Sequence, residues 1–137
     1  MSGPIVCIDV SEVCAGRVDE LKMLMTELVE FVRANEPRPI IYQMFLDQDG
    51  TMMTVIQVHP DSESMEFHME AAASIFPRFS DLLTLFRIDI YGEPSDELIR
   101  RMRQKGRMLG DAPVVTHQLL AGLTRFGPLS ERPGQAP

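Results

Sequence analysis

Thr51-Met52-Met53-Thr54-Val55-Ile56-Gln57-Val58-His59 is a run of β-branched and apolar residues, and Pro60-Asp61-Ser62 breaks it. The run has strand character, and the break supplies a capping residue for a helix that carries His68 near its centre. A strand therefore ends at one histidine, and a helix with a second histidine follows at once. Immediately upstream, Gln48-Asp49-Gly50 reads as a hairpin turn, because Asp-Gly tolerates the positive φ angles of a tight reversal. The strand before it, Ile40 to Asp47, sets Ile40, Tyr42, Met44 and Leu46 against Ile41, Gln43 and Phe45. Nearly every position is apolar, so both faces of this strand are expected to be covered.

Working outward, Ile5 to Val13 alternates as a first strand, with Val6, Ile8 and Val10 on one face and Cys7, Asp9 and Ser11 on the other. Arg17 to Asn35 shows helical spacing: Val18, Leu21, Leu24, Met25, Leu28, Phe31 and Val32 form one stripe. Asn35-Glu36-Pro37-Arg38-Pro39 stops it, since proline cannot continue a helix. Downstream of His68, Ile75 to Leu83 continues a helical face that Pro77 should kink or split. Leu85 to Tyr91 is a fourth strand, placing Phe86, Ile88 and Ile90 on one side and Arg87, Asp89 and Tyr91 on the other. The order β-α-β-β-α-β predicts an α+β, ferredoxin-like fold with a four-stranded antiparallel sheet and two helices on one face. The other face is apolar too, and a second copy of the chain is the economical way to cover it.

The organisation expected is a core over residues 1–92, an extension over 93–126 and a disordered tail over 127–137. In the extension Ser95 caps a helix. Its acids come first and its bases (Arg100, Arg101, Arg103, Lys105 and Arg107) come late, as the helix dipole favours. That basic cluster reads as a solvated face, and Gly106-x-x-x-Gly110 as chance spacing. Val114 to Phe126 has weak alternation and can form a fifth strand. Its Leu119, Leu120, Leu123 and Phe126 are expected to pack on the core or on a partner subunit.

The chain has 137 residues and a net charge of −7. That balance argues against binding nucleic acid, which requires a basic face, and against docking on an anionic membrane. No apolar run reaches the roughly 18 residues of a membrane span, and the start lacks a secretory pattern. A cytoplasmic location is the default expectation. Cys7 and Cys14, on one extended strand, would lie roughly 23 Å apart, so no disulfide is expected. Their spacing matches no metal motif, and no metal or cofactor is expected.

His68 and His59 are the candidate catalytic bases, since imidazole moves protons near neutral pH. Tyr42, Met44 and Phe67 are candidate substrate contacts, and the many methionines suit either core filling or an adaptable apolar pocket. Arg87 and Asp9 lie on neighbouring strands and read as a cross-strand ion pair. These residues permit two functions: an enzyme acting on a small apolar aromatic ligand, or a non-catalytic dimeric module that binds a ligand or simply assembles.

The Arg17-Val18-Asp19-Glu20-Leu21 helix start, the Pro39 to Asp47 strand, and the third strand leading to a helix with His68 resemble the antibiotic biosynthesis monooxygenase-like domains. The resemblance covers about Pro4 to Gly92. It implies a homodimeric α+β barrel, and the family includes cofactor-free oxygenases acting on quinol-like substrates. In that family a Trp typically ends the third strand nine residues before the His; here His59 takes that place. Where the haem-degrading branch carries an axial histidine, this chain reads Ala71-Ala72-Ala73-Ser74, which disfavours haem degradation.

Overall fold

The structure, a computed structural model, describes residues 3–125. Phe126 and the tail expected to be disordered lie outside the described residues. The elements run β1 (Ile5–Val13), α1 (Val18–Asn35), β2 (Ile41–Leu46), β3 (Met52–His59), α2 (Ser62–Ala71), a 3₁₀ turn (Phe76–Phe79), β4 (Leu83–Tyr91), α3 (Asp96–Met108) and β5 (Val114–His117). The sheet order is β2-β3-β1-β4-β5. Four strands are antiparallel, as the ferredoxin-like plan requires, while β5 runs parallel to β4 and widens the sheet to five. A parallel neighbour needs a crossover, and α3 supplies it.

Each helix forms where the sequence signals it. The α1 stripe buries Leu21, Leu24, Leu28 and Val32. Asp61 caps α2 by accepting from the Ser64 amide, and Ser95 caps α3 by accepting from the Leu98 amide. Pro77 sits within the 3₁₀ turn and separates it from α2. Met65, Phe76, Leu98 and Met102 join β1 and β4 residues in a single core, so α3 is part of that core.

Strand register fixes which side chains face the helices. Cys7, Asp9 and Ser11 oppose Gln57, Val55 and Met53 of β3 and Ile90, Ile88 and Leu85 of β4. The next layer across β3 is Tyr42, Met44 and Leu46 of β2. On the opposite face lie Val6, Ile8, Val10, Ile56, Val58, Ile41 and Phe45. No helix among the described residues covers that face.

Three expectations are corrected by this register. A bulge where Val10 and Ser11 face β4 shifts the alternation, so Phe86 is 67% exposed while Ile88 and Ile90 are fully buried. A bulge adds one residue, which reverses the facing of whatever precedes it. Arg87 does not reach Asp9. It points to the open face and pairs with Asp89, at 2.8 Å. Asp9, on the helix side, pairs instead with Lys105 of α3, at 3.3 Å, and Lys105 is thereby removed from the solvated basic face. The glycines at 106 and 110 are also more than chance spacing. A Cβ on Gly106 would stand 2.6 Å from the Ala112 carbonyl, and Gly110 has φ 137°. Both let the chain turn sharply from α3 into β5.

Of the two placements expected for the extension after β5, packing on the core is not the one observed. Leu119, Leu120 and Leu123 are 76%, 98% and 74% exposed, so this segment does not pack on its own core. Cys7 and Cys14 are free thiols.

Candidate functional site

Beneath the helices the sheet carries a line of polar side chains. His68, brought in by α2, is 1% exposed, and its Nδ1 lies 2.9 and 3.0 Å from the two carboxylate oxygens of Glu36. Glu36 follows α1 and caps it through its backbone N–H. The carboxylate can only accept, so Nδ1 carries hydrogen and Nε2 keeps a lone pair in the neutral ring. Nε2 has no partner among the described residues. The ring meets the edge of Tyr42 with centroids 5.0 Å apart, and Phe76 at 5.9 Å.

His59 is engaged on both sides. Its Nδ1 is 2.8 Å from Ser64 Oγ, and its Nε2 is 3.0 Å from Gln57 Oε1. The amide oxygen accepts from Nε2–H, so Nδ1 accepts from the serine hydroxyl. Both bonds fit a neutral ring. Burial, with His68 nearby, pushes His59 down to about 3. Holding Gln57 by its oxygen turns the Gln57 Nε2 amide away from His59, and that donor is buried without a partner among the described residues.

Tyr42 stands between two spaces. Outside it is an open groove of about 580 Å³ between α1 and β2, walled by Leu21, Met25, Val29, Met44, Leu46 and Met53. Inside is a small cavity of about 30 Å³ that Asp9, Ser11, Gln57 and Lys105 line together with apolar residues. Met25, Tyr42 and Met53 belong to both walls. Burial, followed by the charges of Asp9 and Glu36, raises the Tyr42 phenol well above its ordinary value, so its hydroxyl keeps its proton.

No family model matches the sequence, and no curated protein matches it. Solved structures do. The crystal structure of MupZ from Pseudomonas fluorescens superposes with a TM-score of 0.71 at 16% identity, covering 91% of each chain. A protein from Bacteroides thetaiotaomicron, described as a candidate antibiotic biosynthesis monooxygenase, covers 61% of this chain and 85% of its own, at 15% identity and TM-score 0.54. One of the same description from Caulobacter crescentus covers 69% and 92%, at 18% identity and TM-score 0.52.

This chain has the antibiotic biosynthesis monooxygenase-like fold.

Coverage by those two antibiotic biosynthesis monooxygenase-like structures is close to the share occupied by β1 through β4. MupZ matches over more of the chain, so its likeness reaches into α3 and β5. Within the antibiotic biosynthesis monooxygenase-like fold, His68, Tyr42 and Met44 come together on the helix side of the sheet. His59, expected as a second base, is near them, 6.0 Å from His68 between ring centroids, and both its nitrogens are engaged in hydrogen bonds. Phe67 is 53% exposed and lies outside this cluster, because its neighbours His68 and Met69 take the buried positions of α2. Among the described residues no cluster of three His, Cys, Asp or Glu side chains is placed to hold a metal ion.

Glu36, Gln57 and Lys105 were not singled out by sequence. Glu36 reads as part of a helix stop and Lys105 as one of five bases on a solvated helix. Gln57, an amide inside a mostly apolar strand, is the one signal that the sequence offers.

The neutral state of His59 gives acid sensitivity a sign. Its folded value is depressed below the ordinary 6.5, so the stability it contributes is complete above that pH and is lost as pH falls toward 3. The slope from one such group is about 1.4 kcal/mol per pH unit. Chemical denaturation between pH 7 and pH 4 should show stability falling with acid, and His59→Gln should flatten the slope. An equal slope in both proteins would refute the assignment.

Proposed function

We propose that the protein is a cofactor-independent oxygenase acting on a small, mostly apolar aromatic or quinol-like substrate bound in the groove between α1 and β2. The observation that carries this is the buried Glu36–His68 pair, whose Nε2 has no partner among the described residues and whose ring lies 5.0 Å, centroid to centroid, from Tyr42, a residue of the groove wall. A carboxylate that fixes one ring nitrogen leaves the other poised as a base. Tyr42 must swing aside for the substrate to reach His68. A ring CH₂ then gives its proton to Nε2, and the resulting anion reduces dioxygen, with CH₂ and O₂ becoming C=O and H₂O. The apolar walls Met25, Met44 and Met53 suit a flat ring.

Oxygen uptake with dithranol, whose central ring carries such a CH₂, tests this. His68→Gln keeps a donor for Glu36 but has no basic lone pair. It should lower the rate by about 10²–10⁴-fold, the usual contribution of a general base, with an unchanged melting curve. Uptake by the parent no faster than in buffer, or His68→Gln at full rate, would refute the reading.

The non-catalytic module is the second reading, favoured by the near-complete enclosure of His68 and by the apolar open face of the sheet. Under either reading we propose a homodimer with the two open faces packed together, burying at least the roughly 1,200 Å² of a specific interface. A stable monomer by light scattering at micromolar concentration would refute it.

A further inference from the structure

The inner cavity is polar for a reason that neither the Glu36–His68 pair nor the apolar groove explains. Asp9 and Lys105, paired with each other at 3.3 Å, both line it, with side chains 4% and 11% exposed. Gln57 is 1% exposed, its oxygen is taken by His59, and its Nε2 donor has no partner among the described residues. The ion pair has no net charge, which does not favour a free anion. A lone carbonyl would accept from Lys105 and Gln57 and leave the carboxylate facing its lone pairs. A hydroxyl satisfies all three, donating to Asp9 and accepting from Lys105 and Gln57. The cavity has room for one small polar group, and its walls are shared with the groove through Met25, Tyr42 and Met53.

We propose that this cavity seats a hydroxyl of the ligand while the ring to which it is attached lies in the groove. Asp9 accepts the hydroxyl hydrogen, and Lys105 and the Gln57 Nε2 donate to its oxygen. The ligand class is therefore a flat, largely apolar ring compound bearing a free phenolic or enolic hydroxyl. Lys105 comes from α3, so the extension completes the binding site. The inference rests on the groove being the ligand site and is independent of His68 acting as a base.

The test is equilibrium binding of 2-naphthol against 2-methoxynaphthalene, which offers the same ring without the donor. A site built to pair a hydroxyl discriminates steeply against its absence, and at least a ~10-fold preference for 2-naphthol is expected in the parent. Equal affinity for the two probes, or no binding of either, overturns the proposal without any variant being needed. Absorbance of the bound naphtholate then reads the charges. Lys105→Met should raise the apparent pKa of bound naphthol and Asp9→Asn should lower it, each by about one unit, while Lys105→Arg restores the parent value. Shifts of the same sign in the first two variants, or none, overturn the assignment; a purely structural role would not give opposite signs. His68→Gln should keep the naphthol preference even if it abolishes oxygen uptake, which separates this inference from the oxygenase reading.

Discussion

A chain ending at Gly92 is expected not to fold cooperatively, although it retains every strand and helix of the ferredoxin-like plan. The truncation removes Leu98 and Met102, both fully buried in the core. Each side chain of this kind contributes about 1.5–3 kcal/mol by burial. It also leaves Asp9 on the central strand without Lys105, and a buried charge deprived of its partner costs about 3–5 kcal/mol. Losses of this size are comparable with the whole stability of a small domain, about 5–15 kcal/mol. Circular dichroism should show no cooperative thermal transition. A sharp melt within a few degrees of the full chain would mean that α3 is an appendage.

The second large effect is expected from His68→Leu. The substitution fills much of the same space but strands the Glu36 carboxylate, 1% exposed, with no donor at hydrogen-bond distance. The cost should be about 3–5 kcal/mol, lowering the melting temperature by on the order of 10 °C. Adding Glu36→Leu should recover part of the loss, because the double variant buries no unpaired charge. A double variant less stable than His68→Leu would show that the pair is not coupled. The same chemistry makes His68→Gln the proper probe of activity, since it keeps a donor for Glu36.

The order of elements was legible because alternation and helical spacing report local periodicity, and the turn at Asp49-Gly50 and the breaks at Pro37 and Pro77 are chemically explicit. Phe86 was misplaced because a bulge depends on pairing with β1, which no local pattern encodes. Asp9 was assigned to Arg87 by strand adjacency. Its true partner lies 96 residues further along the chain, on a helix whose other bases are solvated. His68 was visible as a histidine on an apolar helix. Its dependence on Glu36, 32 residues earlier, is a tertiary contact between α2 and the residue that ends α1. Tertiary pairing of polar groups is the part of the site that local sequence carries least.

The two thiols differ in a way that makes the chain its own reporter. Cys7 is fully buried on the strand that pairs with both β3 and β4, and burial beside Asp9 raises its thiol far above the ordinary value. Cys14, half-buried just beyond that strand, is open to reagents. An alkylating agent therefore modifies Cys14 directly but reaches Cys7 only when the centre of the sheet opens. The lag between the two modifications times the opening of β1, with no residue changed.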